Sequence, residues 1–390
     1  MSKVFEKTFF LVTSFFLLAV SCNNSKPVTT EPDSIEISIE TEKEEKPVRH
    51  TLTFVAAGDN LFHETLINSS LKNGVYDFDP IYSEIKPIVK NADLAFINQE
   101  TVMAGERYGY SGFPTFNTPQ SLAKTLADAG FAVVNMANNH ALDMGESGLL
   151  ATLAHWDTIE GITIIGTRRL GEEKQKIITK NNITLGFLGY AHDLNGFALP
   201  RHNPDLVSMI NRTKMAQEID ALRPLCDFLI VSVHWGNEYL FQPVKSQTDL
   251  AAFFAEHNVD LVIGHHPHVL EPFEAIPRPD GKETYCFYSL GNFVSNQRGK
   301  ERILGAMIAA TFVKEGDELF ISDSGLIPVV CHFDRNFNGT VVYPLYSYNE
   351  ELLKKHQSMT IDKDLSMDFF YSVIKELGTK IFMYNPFMRN

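Results

Sequence analysis

Histidine, carboxylate and amide side chains follow several apolar segments of this chain. The segment VDLVIGHHPHVLEP (residues 259–272) places three histidines within four positions, directly after a run of apolar residues. Histidine titrates near neutral pH and is a common metal ligand, so this cluster can serve a metal centre or acid–base chemistry. A histidine-rich surface loop has the same composition, and the other segments must therefore decide between the two interpretations.

Four further apolar segments end in polar side chains of the same kinds. They supply Asp59 and His63 (FVAAGDNLFHE), Asn98 and Glu100 (LAFINQE), Asn139 and His140 (VVNMANNH), and His234 (LIVSVH). Each has an ordinary structural explanation when taken alone, because an Asp after a strand commonly forms a turn or caps a helix. Their joint occurrence favours a metal site with mixed oxygen and nitrogen ligands, which suits Mn, Zn or Fe(II) better than Ca.

Strand-like apolar runs alternate with helical patterns from residue 50 onward. Helices are predicted over 118–130, 211–222 and 246–258, the first with Thr118 as N-cap, Pro119 at its first position and Gly130 at its end. The predicted strands are 52–58, 93–98, 132–137, 163–166, 184–190, 227–234, 260–266, 285–291 and 305–313. This alternation predicts an α/β architecture with sheets covered on both faces. Ligands of such folds bind beyond the carboxyl ends of the strands, where the five polar segments are expected to meet.

The composition limits the function classes. The chain has 390 residues, a net charge of −14 and 44% hydrophobic residues, which is ample for a packed core. The acidic balance argues against a nucleic-acid partner and against a long polyanion lying across the surface. An anionic substrate therefore needs a local positive centre, such as a metal ion.

The amino-terminal segment MSKVFEKTFFLVTSFFLLAVSC resembles the signal peptide and lipobox of bacterial lipoproteins. We expect residues 1–22 to be a signal peptide, Cys22 to be lipidated, and the protein to be anchored by lipid to the bacterial cell envelope on the extracytoplasmic side. An ordinary signal peptide or a short membrane anchor is the alternative. Residues 23–50 are polar and acidic and are expected to form a disordered tether. The main domain is predicted over 51–330, with residues 331–390 as an extension that packs on it.

The other three cysteines are Cys226, Cys286 and Cys331, and all lie in apolar surroundings. An odd number without short spacing gives neither a disulfide framework nor a zinc knuckle. Buried free thiols are expected, and one disulfide among the three is the alternative.

Read in order, seven motifs resemble the CapA (PgsA-like) family, which is named for poly-γ-glutamate capsule biosynthesis and belongs with the calcineurin-like metallophosphoesterases. The motifs are AAGDNLFHE (56–64), NQET (98–101), FNTP (116–119), ANNHALDMGESGL (137–149), VSVHWGNEY (231–239), GHHPHVLEP (264–272) and YSLGNFV (288–294). The resemblance implies a four-layer αββα sandwich with its site at one edge of the paired sheets.

The resemblance also implies roles for individual residues. It makes His140 the candidate general acid or transition-state stabiliser, and it makes the following residues candidate metal ligands: Asp59, Asn139, His234, His266 and His268. The chain departs from the phosphoesterase pattern at Leu61, where a histidine is expected and His63 is the nearest. The bridging Asp of the second motif is also absent, and Glu100 is the nearest carboxylate. One or two divalent ions are therefore expected.

The GHHPH segment predicts different roles for its three histidines. His266 precedes Pro267, which favours an extended backbone. In an extended chain His266 and His268 lie on one face, and His265 points to the other. The sequence thus predicts a ligand pair and a bystander.

The sequence and the resemblance together favour a metal-dependent, phosphoesterase-like hydrolase linked to capsule or poly-γ-glutamate biosynthesis or export. One alternative is a non-catalytic metal-binding subunit of a polymer synthesis or export complex, and another is hydrolysis or transfer on a γ-glutamyl polymer. The expected partners are an anionic substrate or polymer, the membrane, and capsule synthesis or export proteins. Arg168 and Arg169 in GTRRL could hold an anionic group; a solvated loop pair is the other interpretation.

Overall fold

The computed structural model describes residues 47–173 and 176–388. The predicted signal peptide, the lipidation of Cys22 and most of the predicted tether lie outside these residues. The first strand begins at Arg49, so Arg49 and His50 belong to a strand and not to the tether. Within the described ranges, no helix has the length and apolar composition needed to cross a membrane.

The strands form two large sheets and one small hairpin. Their bounds are β1 Arg49–Asn60, β2 Leu71–Lys72, β3 Val75–Tyr76, β4 Leu94–Gln99, β5 Val133–Asn135, β6 Thr163–Ile165, β7 Lys176–Lys180, β8 Ile183–Ala191, β9 Phe228–His234, β10 Leu261–His265, β11 Leu270–Pro277, β12 Glu283–Leu290, β13 Asn292–Val294, β14 Leu304–Glu315, β15 Glu318–His332 and β16 Val341–Pro344. Each predicted strand segment overlaps one of these strands.

The eight-stranded sheet has the order β16-β15-β14-β1-β4-β5-β6, with β13 also paired to β1. The six-stranded sheet has the order β11-β12-β10-β9-β8-β7. Strands β1, β4, β5 and β6 pair in parallel in the first sheet, as β8, β9, β10 and β12 do in the second. Parallel strands end at the same edge of their sheet, and this places the polar segments that follow them together.

The helices are α1 Glu64–Ser69, α2 Lys86–Asn91, α3 Ser121–Ala129, α4 Gly145–Trp156, α5 Arg212–Leu222, α6 Lys245–Glu256, α7 Glu350–Lys355 and α8 Met367–Lys375. Short 3₁₀ turns span Asp79–Tyr82, Glu106–Tyr108, Arg223–Leu225, Lys300–Arg302, Arg335–Phe337, Leu345–Ser347 and Gln357–Thr360.

Strand β1 shows how the layers are built. Successive side chains of a strand point to opposite faces of its sheet. Val55 packs among apolar residues of α1 to α4 on one face, whereas Phe54 on the other face packs against strands of the six-stranded sheet. The outer face of that second sheet packs against α5 and α6. The layers are therefore helix, sheet, sheet and helix, and the predicted αββα sandwich is confirmed.

The start of α3 differs from the prediction, whereas its end agrees. The N-cap is Gln120 and not Thr118. The Thr118 hydroxyl bonds instead to the Thr101 hydroxyl at 2.8 Å, and the Thr118 N–H donates to the Val102 carbonyl at 2.9 Å. These bonds tie residue 118 into the preceding loop, so the helix begins later. Gly130 ends it with φ of 110°, a conformation that glycine adopts without strain.

The carboxyl-terminal part and the cysteines complete the core. Residues 331–388 add β16 to the eight-stranded sheet, and buried side chains such as Phe370 join the core between the sheets. In the described part of the chain, Cys226, Cys286 and Cys331 are all free thiols, as expected. Cys286 and Cys331 are buried, whereas Cys226 is half-buried.

Candidate metal centre

The polar side chains of the candidate site lie at the strand ends of both sheets. Asp59 near the end of β1 lies opposite Asn98 on β4, and the Asn98 amide donates to Asp59 Oδ1 at 2.8 Å. In the other sheet His234 at the end of β9 lies opposite His265 at the end of β10. The loop after β10 then brings His268 back to the first sheet, with its Nδ1 at 3.0 Å from Asp59 Oδ2. The site thus lies where the edges of the two sheets meet.

Asp59 is fully buried and surrounded by donors. Besides Asn98 and His268, it accepts a hydrogen bond of 3.3 Å from the backbone N–H of His266. Burial alone would raise the pKa of the Asp59 carboxyl, but the neighbouring His265 and His268 hold that pKa well below its usual value. Asp59 is therefore an ionised carboxylate, the form in which it can bind a cation.

Glu100 is fully buried too, but in the opposite situation. Neither of its carboxylate oxygens has a hydrogen-bond partner among the described residues. Its Oε1 lies 3.7 Å from Nε2 of His234 and 3.6 Å from Nε2 of His268. Burial raises the pKa of Glu100 well above its usual value. A buried carboxylate without a donor is costly, and a bound cation removes that cost. The donor set therefore fits a metal ion.

The rings of His234 and His266 lie next to each other, and His234 borders Glu100. Nε2 of His234 lies 2.9 Å from Oδ1 of Asn139 and 3.1 Å from Nδ1 of His266. Burial lowers the pKa of His234 well below its usual value and lowers that of His266 to about 3. Both rings are therefore neutral at pH 7, which is the form that binds metals.

His268 behaves differently because it lies between carboxylates. Burial would lower its pKa, but Glu100 and Asp59 raise it to about 9. Ligand atoms of His268, Asp59 and Glu100 lie within 4.8 Å of one another, and so do those of His268, His266 and Glu238. His268 thus belongs to both groups that the described residues offer to a metal ion.

The backbone of the GHHPH segment is not extended, and that prediction is wrong. Strand β10 ends at His265, and His266 and His268 have φ of 98° and 60°. His265 does not turn away from the site either, since its Nδ1 lies 3.4 Å from Asp59 Oδ1. Its buried ring stacks on Phe96, with the centroids 5.9 Å apart. His265 therefore lies between Phe96 and Asp59 and helps to hold the Asp59 carboxylate in place.

His140 lies beside the centre with a carboxylate of its own. Its Nδ1 is 2.8 Å from Oδ2 of buried Asp143, which also accepts the N–H of Phe116 at 2.6 Å. A proton on Nδ1, shared with Asp143, fixes the tautomer and leaves Nε2 for chemistry. Asn195 bridges the motif, since its Oδ1 accepts from Asn139 at 3.1 Å and its Nδ2 lies 3.3 Å from His140 Nδ1.

The structure places His63 at the edge of this arrangement. Its ring packs edge-on against Phe116 with the centroids 5.4 Å apart, and it belongs to neither ligand group. Its buried Nδ1 has no partner in the described part of the chain, and burial lowers its pKa to about 4. The chain leaves β1 at Asn60, so His63 is carried to the N-cap of α1 and away from Asp59.

Arg168 and Arg169 are not brought into the histidine cluster. Arg168 pairs with Asp205 at 2.5 Å, and Arg169 pairs with Asp157 at 2.6 Å and with Glu172 at 2.7 Å. These carboxylates already neutralise both guanidinium groups. The pair therefore stabilises its own loop, and the prediction that it binds substrate has no support in its position.

Two site residues were missed by the sequence analysis. Glu238 lies within the VSVHWGNEY motif, four residues after His234, but it is exposed and does not directly follow the strand. His192 directly follows β8, and its ring lies 4.5 Å from that of His266 while its Nδ1 lies 3.0 Å from the His234 carbonyl oxygen. The position of His192 after a strand was the signal that could have identified it.

The αββα sandwich, with its carboxylates and histidines at the meeting edges of the sheets, is a fold of the metallo-dependent phosphatase type. The chain belongs to the bacterial capsule synthesis protein family PGA_cap, whose sequence pattern matches residues 53–297. The family resemblance of the seven motifs is thereby confirmed.

Two relatives and one solved structure are similar to this chain. The PGA biosynthesis protein CapA of Bacillus subtilis (strain 168) is 30% identical over 249 residues, which cover 62% of this chain and 63% of that protein. The capsule biosynthesis protein CapA of Bacillus anthracis is 27% identical over 267 residues, 64% of this chain and 62% of that protein. The calcineurin-like phosphoesterase YfkN from Bacillus subtilis has a TM-score of 0.46 and 13% identity, over 83% of this chain and 100% of that chain. The match thus spans less than two thirds of either CapA protein.

Proposed function

We propose that this protein is a metal-dependent hydrolase of phosphoesters that acts in the bacterial cell envelope. The observation that carries the proposal is Glu100, a fully buried carboxylate without a hydrogen-bond partner among the described residues, which faces His234 and His268. Without a bound cation the desolvation of this carboxyl group is not compensated and destabilises the fold, so Glu100 favours a metal-dependent activity.

The residues that would hold the metal combine carboxylates, imidazoles and an amide oxygen. They are Asp59, Glu100, Asn139, His234, His266 and His268, with Glu238 available at the exposed side. This mixture suits Mn, Zn or Fe(II), and the two ligand groups that share His268 allow one ion or two. A bound divalent ion supplies Lewis-acid polarisation of a phosphoryl oxygen and eases the ionisation of water.

The chain's own acid is His140. Asp143 accepts the Nδ1 proton of the imidazole. When Nε2 is protonated as well, the imidazolium can pass that second proton to the oxygen of the leaving group and return to the Nδ1–H tautomer. Proton transfer by a positioned side chain contributes roughly 10²–10⁴-fold to a rate. When His140 Nδ1 carries the proton shared with Asp143, it has no lone pair to accept a hydrogen bond from Nδ2 of Asn195. Nδ2 of Asn195 can then donate its hydrogens to a substrate oxygen, while its Oδ1 accepts from Asn139.

The cellular setting is part of the proposal. Relatives in two Bacillus species are named for capsule or PGA biosynthesis, which supports a role for this chain in making or exporting an envelope polymer. Lipidation of Cys22 would anchor the protein on the extracytoplasmic side of a membrane. Partners would be an anionic substrate or polymer and the proteins that synthesise or export it.

A non-catalytic metal-binding subunit of such a complex is the second candidate. It is favoured by Leu61, which stands where a histidine ligand is expected, and by the position of His63 outside both ligand groups. A site with fewer ligands can hold a metal that stabilises the fold without catalysing a reaction.

Metal analysis combined with a phosphoester screen separates the two candidates. The full chain would be loaded with Mn, Zn or Fe(II) and assayed on phosphomonoesters and phosphodiesters, beside His140→Ala with its folding and metal content verified. A hydrolase shows turnover that requires metal and is lost in His140→Ala. Turnover that is absent in the loaded parent, or unchanged in His140→Ala, would reject the hydrolase proposal.

A further inference from the structure

Arg302 lies one aromatic ring away from the candidate metal centre. Its Cζ is 3.7 Å from the ring centroid of Tyr239, and the Tyr239 ring centroid is 6.1 Å from that of His268. A guanidinium over a tyrosine ring is a favourable cation–π arrangement, which fixes the plane and direction of the charge. The cation therefore has a defined place at the side of the site that Tyr239 borders.

Tyr239 is itself fastened to the loop that carries the candidate ligands. Its backbone N–H donates to the carbonyl of Pro267 at 2.8 Å, between His266 and His268. Its hydroxyl accepts a hydrogen bond of 3.3 Å from the amide of Gln297. Tyr239 has φ of 65°, an uncommon conformation for a residue with a side chain, which these two bonds help to maintain. The ring under Arg302 is thus fixed relative to the histidines.

Arg302 is also tied to the strand that carries Asp59. The Asn292 amide donates to the Arg302 carbonyl at 3.0 Å and to Oε1 of Gln297 at 3.0 Å. Asn292 is fully buried and lies opposite Asp59 in the pairing of β13 with β1. Both the backbone and the side chain of Arg302 are therefore positioned by residues that also shape the metal centre.

No carboxylate in the described part of the chain forms an ion pair with Arg302, in contrast to Arg168 and Arg169. The Glu238 carboxylate lies close to the Tyr239 hydroxyl, so Glu238 and Arg302 both border the site at this ring. The segment RGKER (298–302) carries three cations against one carboxylate, within a chain of net charge −14. Lys300 of this segment pairs with Asp364, and Arg298 stacks on Phe337. Arg302 is the cation of the segment that lies beside Tyr239.

We propose that Arg302, held by Tyr239, binds a second anionic group of the substrate, distinct from the phosphoryl group at the histidine cluster. A guanidinium binds carboxylate and phosphate oxygens through two parallel hydrogen bonds, so the substrate is a phosphoester that carries a further carboxylate or phosphate. The inference rests on the proposed phosphoester hydrolysis and deepens it. It also supplies the local positive centre that an anionic substrate requires in an acidic protein.

The test compares three probes that differ in their second anion. The metal-loaded full chain would be assayed on phenyl phosphate, 3-carboxyphenyl phosphate and 1,3-phenylene bisphosphate. We expect kcat/KM for at least one probe with two anions to exceed that for phenyl phosphate by about tenfold or more, because hydrogen bonds to charged groups are strong. The probe with the larger kcat/KM shows whether the second anionic group that Arg302 binds is a carboxylate or a phosphate. In Arg302→Ala the preference should fall to about twofold or less, mainly through KM.

Two further variants make the test specific. Arg302→Lys keeps the charge but not the planar fork, so it should retain part of the preference. Arg298→Ala removes a neighbouring cation that stacks on Phe337, and it should keep the full preference. If Arg302→Ala fails to fold, then Arg302→Gln replaces it with a side chain that is long and uncharged.

Binding measurements separate this inference from the proposed reaction. Calorimetric titration with benzylphosphonate and 3-carboxybenzylphosphonate, which cannot be hydrolysed, reports recognition without turnover. Tighter binding of the second probe that depends on Arg302, without hydrolysis of any phosphate ester, would reject the hydrolase and keep the role of Arg302. Turnover without preference in the parent, or a preference that persists in Arg302→Ala, would overturn that role.

Discussion

Nε2 of His268 lies 3.6 Å from Oε1 of Glu100, while Nδ1 of the same ring lies 3.0 Å from Oδ2 of Asp59. One imidazole thus lies between two fully buried carboxylates, of which Asp59 has hydrogen-bond donors and Glu100 has none among the described residues. Because Glu100 lacks donors, a cation is required on the Glu100 side of His268. Loss of Glu100, His266 or His268 should therefore affect metal binding more than loss of His265 or Asp143, which only support other residues.

Glu100→Gln should weaken metal binding without destabilising the metal-free protein. The substitution keeps the shape and removes a buried carboxyl that lacks a partner. We expect metal affinity to fall by at least the roughly 10–100-fold that loss of an outer partner typically costs. Metal content after dialysis and urea unfolding with a chelator would measure the two effects. Exposed Glu106→Gln is the matched control. Full metal retention in Glu100→Gln would contradict the assignment.

Alanine substitutions in the GHHPH segment should have graded effects on the metal. His266→Ala and His268→Ala each remove a member of a ligand group, so both should lose the metal. His265→Ala should weaken binding by about 10–100-fold, because this ring supports Asp59 at 3.4 Å. Metal titration followed by calorimetry would rank the three, with His202→Ala, a largely exposed histidine, as the control. Equal losses in all three variants would show that His265 is a ligand as well.

Asp143→Asn should impair catalysis while leaving the metal in place. The carboxylate holds Nδ1 of His140 at 2.8 Å, and an amide at this position can no longer favour a single tautomer. We expect kcat to fall toward the level of His140→Ala, a loss of about 10²–10⁴-fold. The double variant should be no worse than the worse single variant, since the two residues act as a unit. Additive losses, or metal loss in Asp143→Asn, would refute this role; exposed Asp128→Asn serves as the control.

The sequence predicted the convergence of Asp59, Glu100, His234 and His268 because each follows an apolar strand or the turn after one. Parallel strands carry the residues that follow them to one sheet edge, so order along the chain translates into position. The same reasoning overlooked Glu238, which lies in an exposed loop four residues beyond the end of β9. Where strand topology decides the position of a side chain, the sequence is therefore informative.

Side-chain partners and local backbone angles were not predictable in the same way. Arg168 and Arg169 follow a strand and are available by type, but Asp205 and Asp157 from other segments, together with the neighbouring Glu172, engage them. Pro267 favours an extended residue before it, yet His266 has φ of 98° because β10 ends one residue earlier and the chain turns toward Asp59. Tertiary contacts decided these features, and a single sequence does not display them.

Glu271, on β11 three residues after His268, should make the stability of the protein depend on pH. It is 2% exposed, one oxygen accepts from the Gln247 amide at 2.6 Å, and the other has no partner in the described part of the chain. Burial raises the pKa of its carboxyl from 4.5 to about 8. Between these values the folded protein keeps a proton that the unfolded chain has released. The free energy of unfolding should therefore fall as pH rises through this window, by up to ~1.4 kcal/mol per pH unit, and the decline should end above the folded pKa.

Glu271→Gln isolates this contribution, because glutamine has nearly the same shape and does not titrate. Urea unfolding of the chelator-treated full chain at pH 5.5, 6.5 and 7.5 would give the difference in stability between parent and variant at each pH. That difference should move in favour of Glu271→Gln as the pH rises, whereas Glu283→Gln, an exposed position on β12, should give a constant difference. Parallel stability curves for the parent and Glu271→Gln would mean that Glu271 ionises inside the folded protein at an ordinary pH. In that case water or a cation must reach the Glu271 oxygen that has no protein donor.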